Sequence, residues 1–186
     1  AEYVTSNIKI QKYIPNFDDK ITFLNQTINI NSDKKLLFKG FGSFQVGEKI
    51  DNIKYNFEIN KENVKFDFDL DINEIPFKID LINFVKNDNE FLNFQIIGER
   101  KNKNILLNKV NIKKNNDIIN FNDIYFSKNF QIIDFKKINL EYLDINNSKN
   151  DISIVQSKKN TYIIEGKNFN LNKIIDQILF EHTNET

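Results

Sequence analysis

Three aspartates at alternate positions, Asp67, Asp69 and Asp71 in "KFDFDLDI" (65 to 72), are the residues whose type and spacing first suggest chemistry. A D-x-D-x-D run opens calcium-binding loops, where a hard cation collects carboxylate oxygens from alternate positions of a tight turn. Counted from Asp67, such a loop needs glycine at its sixth position and a bidentate glutamate at its twelfth. The chain has Ile72 and Lys78 there. On a strand the same segment sorts by alternation, with the aspartates on one face and Phe66, Phe68 and Leu70 on the other. The strand reading is preferred, and no metal is expected.

Little else offers chemistry. His182 is the only histidine and lies in a polar tail. The absence of cysteine removes disulfides, thiol catalysis and zinc-thiolate sites together. No nucleophile elbow, phosphate-binding loop or zinc-protease signature occurs, and the five glycines (40, 42, 47, 98 and 166) form no phosphate cradle. Neither an enzyme nor a cofactor is expected. Arg100, Lys101 and Lys103 in "ERKNKN" read either as a phosphate or headgroup contact or as a solvated turn between strands. Basic and acidic residues number 26 each, so no net field draws the chain to nucleic acid.

The elements that carry these residues follow from composition and period. A chain of 186 residues suits one domain. Eighteen Phe, many Ile and no Trp, Met or Cys favour strands, because aromatic and β-branched side chains pack well on a pleated surface. Alternation in "IKYNFEI" puts Tyr55 and Phe57 on one face, and after the turn "NKEN" the phase resumes through Phe66, Phe68 and Leu70. The next run, "IPFKIDLINF", continues that face with Phe77, Ile79 and Leu81, while Ile82 and Phe84 begin to load the other.

Further strands are expected at 7 to 14, 20 to 31, 35 to 46, 91 to 97, 105 to 112 and 117 to 126. Others follow at 130 to 134, 137 to 145, 151 to 155 and 161 to 165. The fold class is therefore mainly β, an antiparallel meander over about 7–165. Near the end, Leu171, Ile174, Ile175, Ile178 and Leu179 form the stripe of an amphipathic helix over about 170–181, with Asn170 as N-cap.

Ten strands at ~4.8 Å make a sheet roughly 45 to 50 Å wide. A ten-residue helix covers about 15 Å by 10 Å of it. Either the sheet curls so that its apolar side faces itself, or that side receives an apolar ligand or partner. The chain begins Ala1-Glu2-Tyr3 rather than with Met and reads as a piece of something longer, with any anchor in the missing part.

The pattern resembles the AsmA-like superfamily of bacterial envelope proteins, the group that includes the YhdP and TamB types. The resemblance is carried by "LLFKGFGSFQV", the paired amphipathic strands, "FLNFQIIGERKNKNILLNKVNIKKNNDIINFNDIYFSKN" and "YIIEGKNFNLNKIIDQIL", about Leu36 to Leu179. Gly166, Asn170 and Leu171 match a strand that ends in Gly and then x-x-[DN]-L before a short helix. The resemblance implies an elongated, curled sheet, a taco or gutter, with an apolar inner groove. It also implies a periplasmic protein, anchored in the inner membrane, that passes phospholipid between membranes.

The whole of residues 1–186 is thus expected to be one β-rich segment of a larger, non-enzymatic lipid-transfer protein. Its partners would be phospholipid or another acyl lipid, a membrane reached through the missing anchor, and adjoining segments of the same chain. The groove-facing residues are Tyr55, Phe57, Phe66, Phe68, Leu70, Phe77, Ile79 and Leu81. The rival expectation is a structural or interaction β-sandwich of an adhesin or scaffold, in which the same residues form a closed core.

Overall fold

The computed structural model describes residues 2–4, 20–32, 35–101, 104–127 and 132–170. Eleven of its thirteen strands form one antiparallel sheet, in the order β1-β2-β3-β4-β5-β8-β9-β10-β11-β12-β13. Its first five are β1 (Glu2–Val4), β2 (Lys20–Asn31), β3 (Leu36–Val46), β4 (Lys49–Ile59) and β5 (Asn63–Ile72). The others are β8 (Leu92–Lys101), β9 (Asn104–Lys114), β10 (Asp117–Phe126), β11 (Ile132–Leu143), β12 (Lys149–Lys158) and β13 (Thr161–Asn168). Sequence neighbours are spatial neighbours, as expected for a meander. The sheet is open, since β1 and β13 do not pair.

Asparagine makes several of the tight reversals, and Gly47 (φ 59) makes the one between β3 and β4. Among the described residues seven non-glycine positions have positive φ, and all but Asp123 are Asn, including Asn115 (φ 53) and Asn160 (φ 59) in hairpin turns. Asn tolerates the left-handed region better than other side chains, because its short amide bonds back to the local backbone. The abundance of Asn in this chain therefore has a structural use.

Three expectations are corrected. The run from 75 to 84 is not a strand of the main sheet: β6 (Phe77–Ile79), a 3-10 turn (Asp80–Ile82) and β7 (Phe84–Lys86) form a separate two-stranded ribbon. Pro76 has no N–H for a ladder bond, and Asn83 at φ 53 ends the 3-10 turn and reverses the chain. The stretches 130 to 134 and 137 to 145 belong, where described, to one strand, β11, which runs unbroken from Ile132 to Leu143. The strands also form one large sheet rather than the two facing sheets of a sandwich. The strand expected at 7 to 14 and the helix expected at about 170–181 lie outside the described residues, apart from Asn170. Among the described residues no helix is long and apolar enough to cross a membrane.

The core lies where the ribbon meets the sheet. Ile75, Phe77, Ile82 and Phe84 of the insertion between β5 and β8 join Phe44 and Val46 of β3, Ile53, Ile72, Leu92, Ile112, Ile119, Leu140 and Ile152 in one buried cluster. All these sheet positions lie toward the end where β5 leaves and β8 returns. One end of the apolar face is thus covered by the ribbon.

Glycine keeps the rest of that face shallow. Gly98 is paired with Phe66, and a Cβ at Gly98 would stand 2.6 Å from the Leu106 carbonyl oxygen and 2.7 Å from the Phe66 ring. The ring thus lies down over the glycine backbone. Gly98→Ala is expected to cost about 1–3 kcal/mol through this overpacking, read as a lower urea midpoint with an unchanged m-value. An unaltered midpoint would show that the ring is free to stand up.

Candidate functional site

The β4–β5 hairpin builds the face. Its register pairs Ile53 with Leu70, Tyr55 with Phe68 and Phe57 with Phe66. The rings form a connected ladder: Tyr55 and Phe57 have centroids 6.0 Å apart, Phe57 meets Phe68 edge-on at 5.3 Å, and Phe66 lies 5.8 Å from Phe68. Such tilted and edge-on contacts suit the ring quadrupoles and fix the rings relative to one another. Across the next ladder, Leu70, Phe68 and Phe66 pair with Phe94, Ile96 and Gly98. From there Phe94 and Ile96 pair with Ile112 and Val110 of β9.

The opposite face is polar. Lys54, Asn56 and Asn52 stand against Asp69, Asp67 and Asp71. The Asn93 side-chain amide donates to Asp69 Oδ1 at 2.6 Å and to Asp71 Oδ1 at 3.0 Å. Burial and the neighbouring Asp69 charge hold the Asp67 carboxyl above the usual carboxylate range. These carboxylates belong to a strand and not to a loop. Among the described residues no group of three His, Cys, Asp or Glu side chains is placed to hold a metal ion.

The ribbon is pinned by polar anchors. Asp51, 3% exposed, accepts backbone N–H groups from Asn73 and Glu74 on Oδ1 and from Ile75 on Oδ2, at 2.8, 3.1 and 2.9 Å. Lys86 is fully buried, and its ammonium donates to the carbonyls of Asn73 (2.6 Å) and Asn87 (2.9 Å). Burial pushes the Lys86 pKa down, against the opposing pull of the Asp51 charge.

From the far side, Tyr142 of β11 donates its hydroxyl to the Ile82 carbonyl at 2.6 Å and meets the Phe84 ring edge-on. Burial, with the Asp144 and Asp117 charges, raises the Tyr142 pKa. Lys114 of β9 donates to the Val85 carbonyl at 2.8 Å and sits 5.1 Å from the Phe84 ring centroid, a cation–π distance. The Ile145 N–H donates to the Asn83 carbonyl at 3.1 Å.

The eight expected groove residues divide accordingly. Tyr55, Phe68 and Leu70 lie on the apolar face, half-buried and packed against the core, while Phe57 and Phe66 continue the face beyond it. Phe77 belongs to the ribbon and is buried, its ring 5.8 Å from Phe94. Ile79 is half-buried in the ribbon, and Leu81 points away, 41% exposed.

The 3-10 turn advances the chain about 120° per residue rather than 180°, so Ile82 takes the inward place that strand alternation gave Leu81. Asp51, Lys86 and Tyr142 were missed. A strand Asp between Ile50 and Asn52, a Lys at the end of a short strand and a Tyr among alternating apolar residues carry no local mark of their long-range partners.

Comparison with protein families, with curated proteins and with solved structures finds no match to this chain.

Proposed function

We propose that this chain is a non-enzymatic lipid-binding and transfer module of an AsmA-like bacterial envelope protein. In this reading the sheet curls into a gutter whose inner face carries phospholipid acyl chains in the periplasm. The observation that carries the reading is the ladder of Tyr55, Phe57, Phe66 and Phe68, which extends past the ribbon with no second layer over it among the described residues. Acyl chains ask only for a non-directional apolar surface, worth roughly 25 cal/mol per Å² buried.

The ribbon supports the curl. Flat, β4 and β11 would stand about 24 Å apart, five strand spacings of ~4.8 Å. Yet the one insertion is bonded to Asp51 of β4 through residues 73–75, just before the ribbon, and to Tyr142 of β11 through Ile82. A sheet that bends toward the ribbon accommodates both. Because the ribbon closes one end, the gutter takes up and gives back its lipid at the other end, and adjoining segments of a longer chain would meet it there.

Organic extracts of the purified chain, analysed by mass spectrometry, are expected to contain phospholipid. Phe68→Asp places a charge in the middle of the ladder and is expected to reduce bound lipid at least tenfold while the variant still folds cooperatively. A folded native chain that neither retains lipid nor binds added lipid, or a Phe68→Asp variant that retains it fully, would overturn the reading.

A further inference from the structure

We propose that a bound lipid lies with its tail against the β6–β7 ribbon and its anionic headgroup at the opposite end of the face, on Arg100. This rests on the lipid-binding reading above and adds an orientation and a headgroup class to it. Arg100 is the only arginine of the chain. It pairs with Val64 on one side and Ile105 on the other, two positions beyond the Gly98 that lies under the Phe66 ring. Strand alternation therefore puts its side chain on the apolar face, at the end remote from the ribbon.

It is exposed and has no ion-pair partner among the described residues. The adjacent carboxylate, Glu99, lies on the other face and accepts from the Asn63 amide at 3.2 Å. A guanidinium presents its donors as a planar fork that fits a carboxylate or a phosphate through two parallel bonds.

The charge of the two ends agrees with this orientation. The described turns at the Arg100 end add Lys35, Lys61, Lys101, Lys158 and Lys159 against Glu62, with Lys35 already held by Glu58 at 2.6 Å. The ribbon end carries Glu48, Glu74, Asp88, Glu90, Asp117 and Asp144 in and beside its turns against Lys49, Lys86, Lys114 and Lys149, with Lys49 paired to Asp88 and Lys114 to Asp117. Among the described residues the Arg100 end is therefore net basic and the ribbon end weakly net acidic, and an anionic head is favoured at the Arg100 end.

Length fits as well. Phe94 meets the ribbon through Phe77, and the six residues from Phe94 to Arg100 span about 20 Å at ~3.3 Å each. An acyl chain spans half of a hydrocarbon core of about 30 Å, roughly 15 Å.

The test uses two probes that share a glycerol and an oleoyl chain, lysophosphatidate with a phosphate and oleoylglycerol without one, titrated into the whole 186-residue chain. Arg100→Gln is expected to weaken lysophosphatidate at least tenfold and to leave oleoylglycerol within twofold. Lys54→Gln, on the polar face, is expected to change neither. With doxyl-labelled stearates, a label near the tail end is expected to broaden the amide signals of Phe84 and Leu70, and a label near the carboxylate those of Gly98 and Arg100.

Equal effects of Arg100→Gln on both probes, no effect on either, or the reverse order of broadening would overturn the orientation. In those cases the lipid reading stands. If neither probe binds the native chain, the lipid reading fails first and the orientation falls with it.

Discussion

Asp51→Ala is expected to lower the unfolding free energy by about 3–5 kcal/mol. The carboxylate is 3% exposed and accepts three successive N–H groups, those of Asn73, Glu74 and Ile75. Removal leaves these donors unpaired, at about 1–3 kcal/mol for each that stays buried. It also takes away the anion that supports the buried Lys86 cation.

Asp71→Ala, which loses one amide bond from Asn93 on the polar face, is the control and is expected to cost about 1 kcal/mol or less. Urea denaturation compares the two, and hydrogen exchange at residues 73–75 locates the change. A variant within about 1 kcal/mol of the native chain would mean that the insertion is held by its apolar residues alone.

Phe84→Ala is the counterpart in the apolar core, expected to cost about 3–5 kcal/mol. The ring is 1% exposed and is enclosed by Phe77, Tyr142 and the Lys114 ammonium. Each of these partners comes from a different strand, so the cavity cannot collapse by moving one side chain. Leu81→Ala, three residues earlier and 41% exposed, is expected to cost less than about 1 kcal/mol. The contrast tests the phase of the 3-10 turn directly: a continuous strand through 75 to 84 would make Leu81 the costly position and Phe84 the cheap one. Thermal denaturation of the two variants side by side distinguishes the cases.

Both positions sit where local pattern and tertiary structure part. Over "IKYNFEI" and "KFDFDLDI" the alternation determined strand, face and pairing, because a period of two admits only one assignment of apolar residues to the buried side. The same logic disposed of the calcium reading, and Asp67, Asp69 and Asp71 occupy the polar face of β5. Over "IPFKIDLINF" the alternation was equally regular and led to the wrong element. Pro76, the left-handed Asn83 and the three N–H groups taken by Asp51 favour a short ribbon over a twelfth strand, and the last of these influences comes from 22 to 24 residues away.

The sequence by itself therefore determined the β class, the meander order, most strand limits to within four residues, and five of the eight residues placed on the apolar face: Tyr55, Phe57, Phe66, Phe68 and Leu70. These follow from side-chain period, which is a property of neighbours along the chain. Only the tertiary structure decided that Phe77 and Ile79 stand over one end of the face and that Leu81 leaves it. It also brought Arg100 to the other end, and set Asp51, Lys86 and Tyr142 to hold the cover in place. The physical reason is the range of the interactions: Tyr142 bonds a carbonyl 60 residues away and Asp51 bonds N–H groups 22 to 24 residues away, distances over which no periodicity carries information.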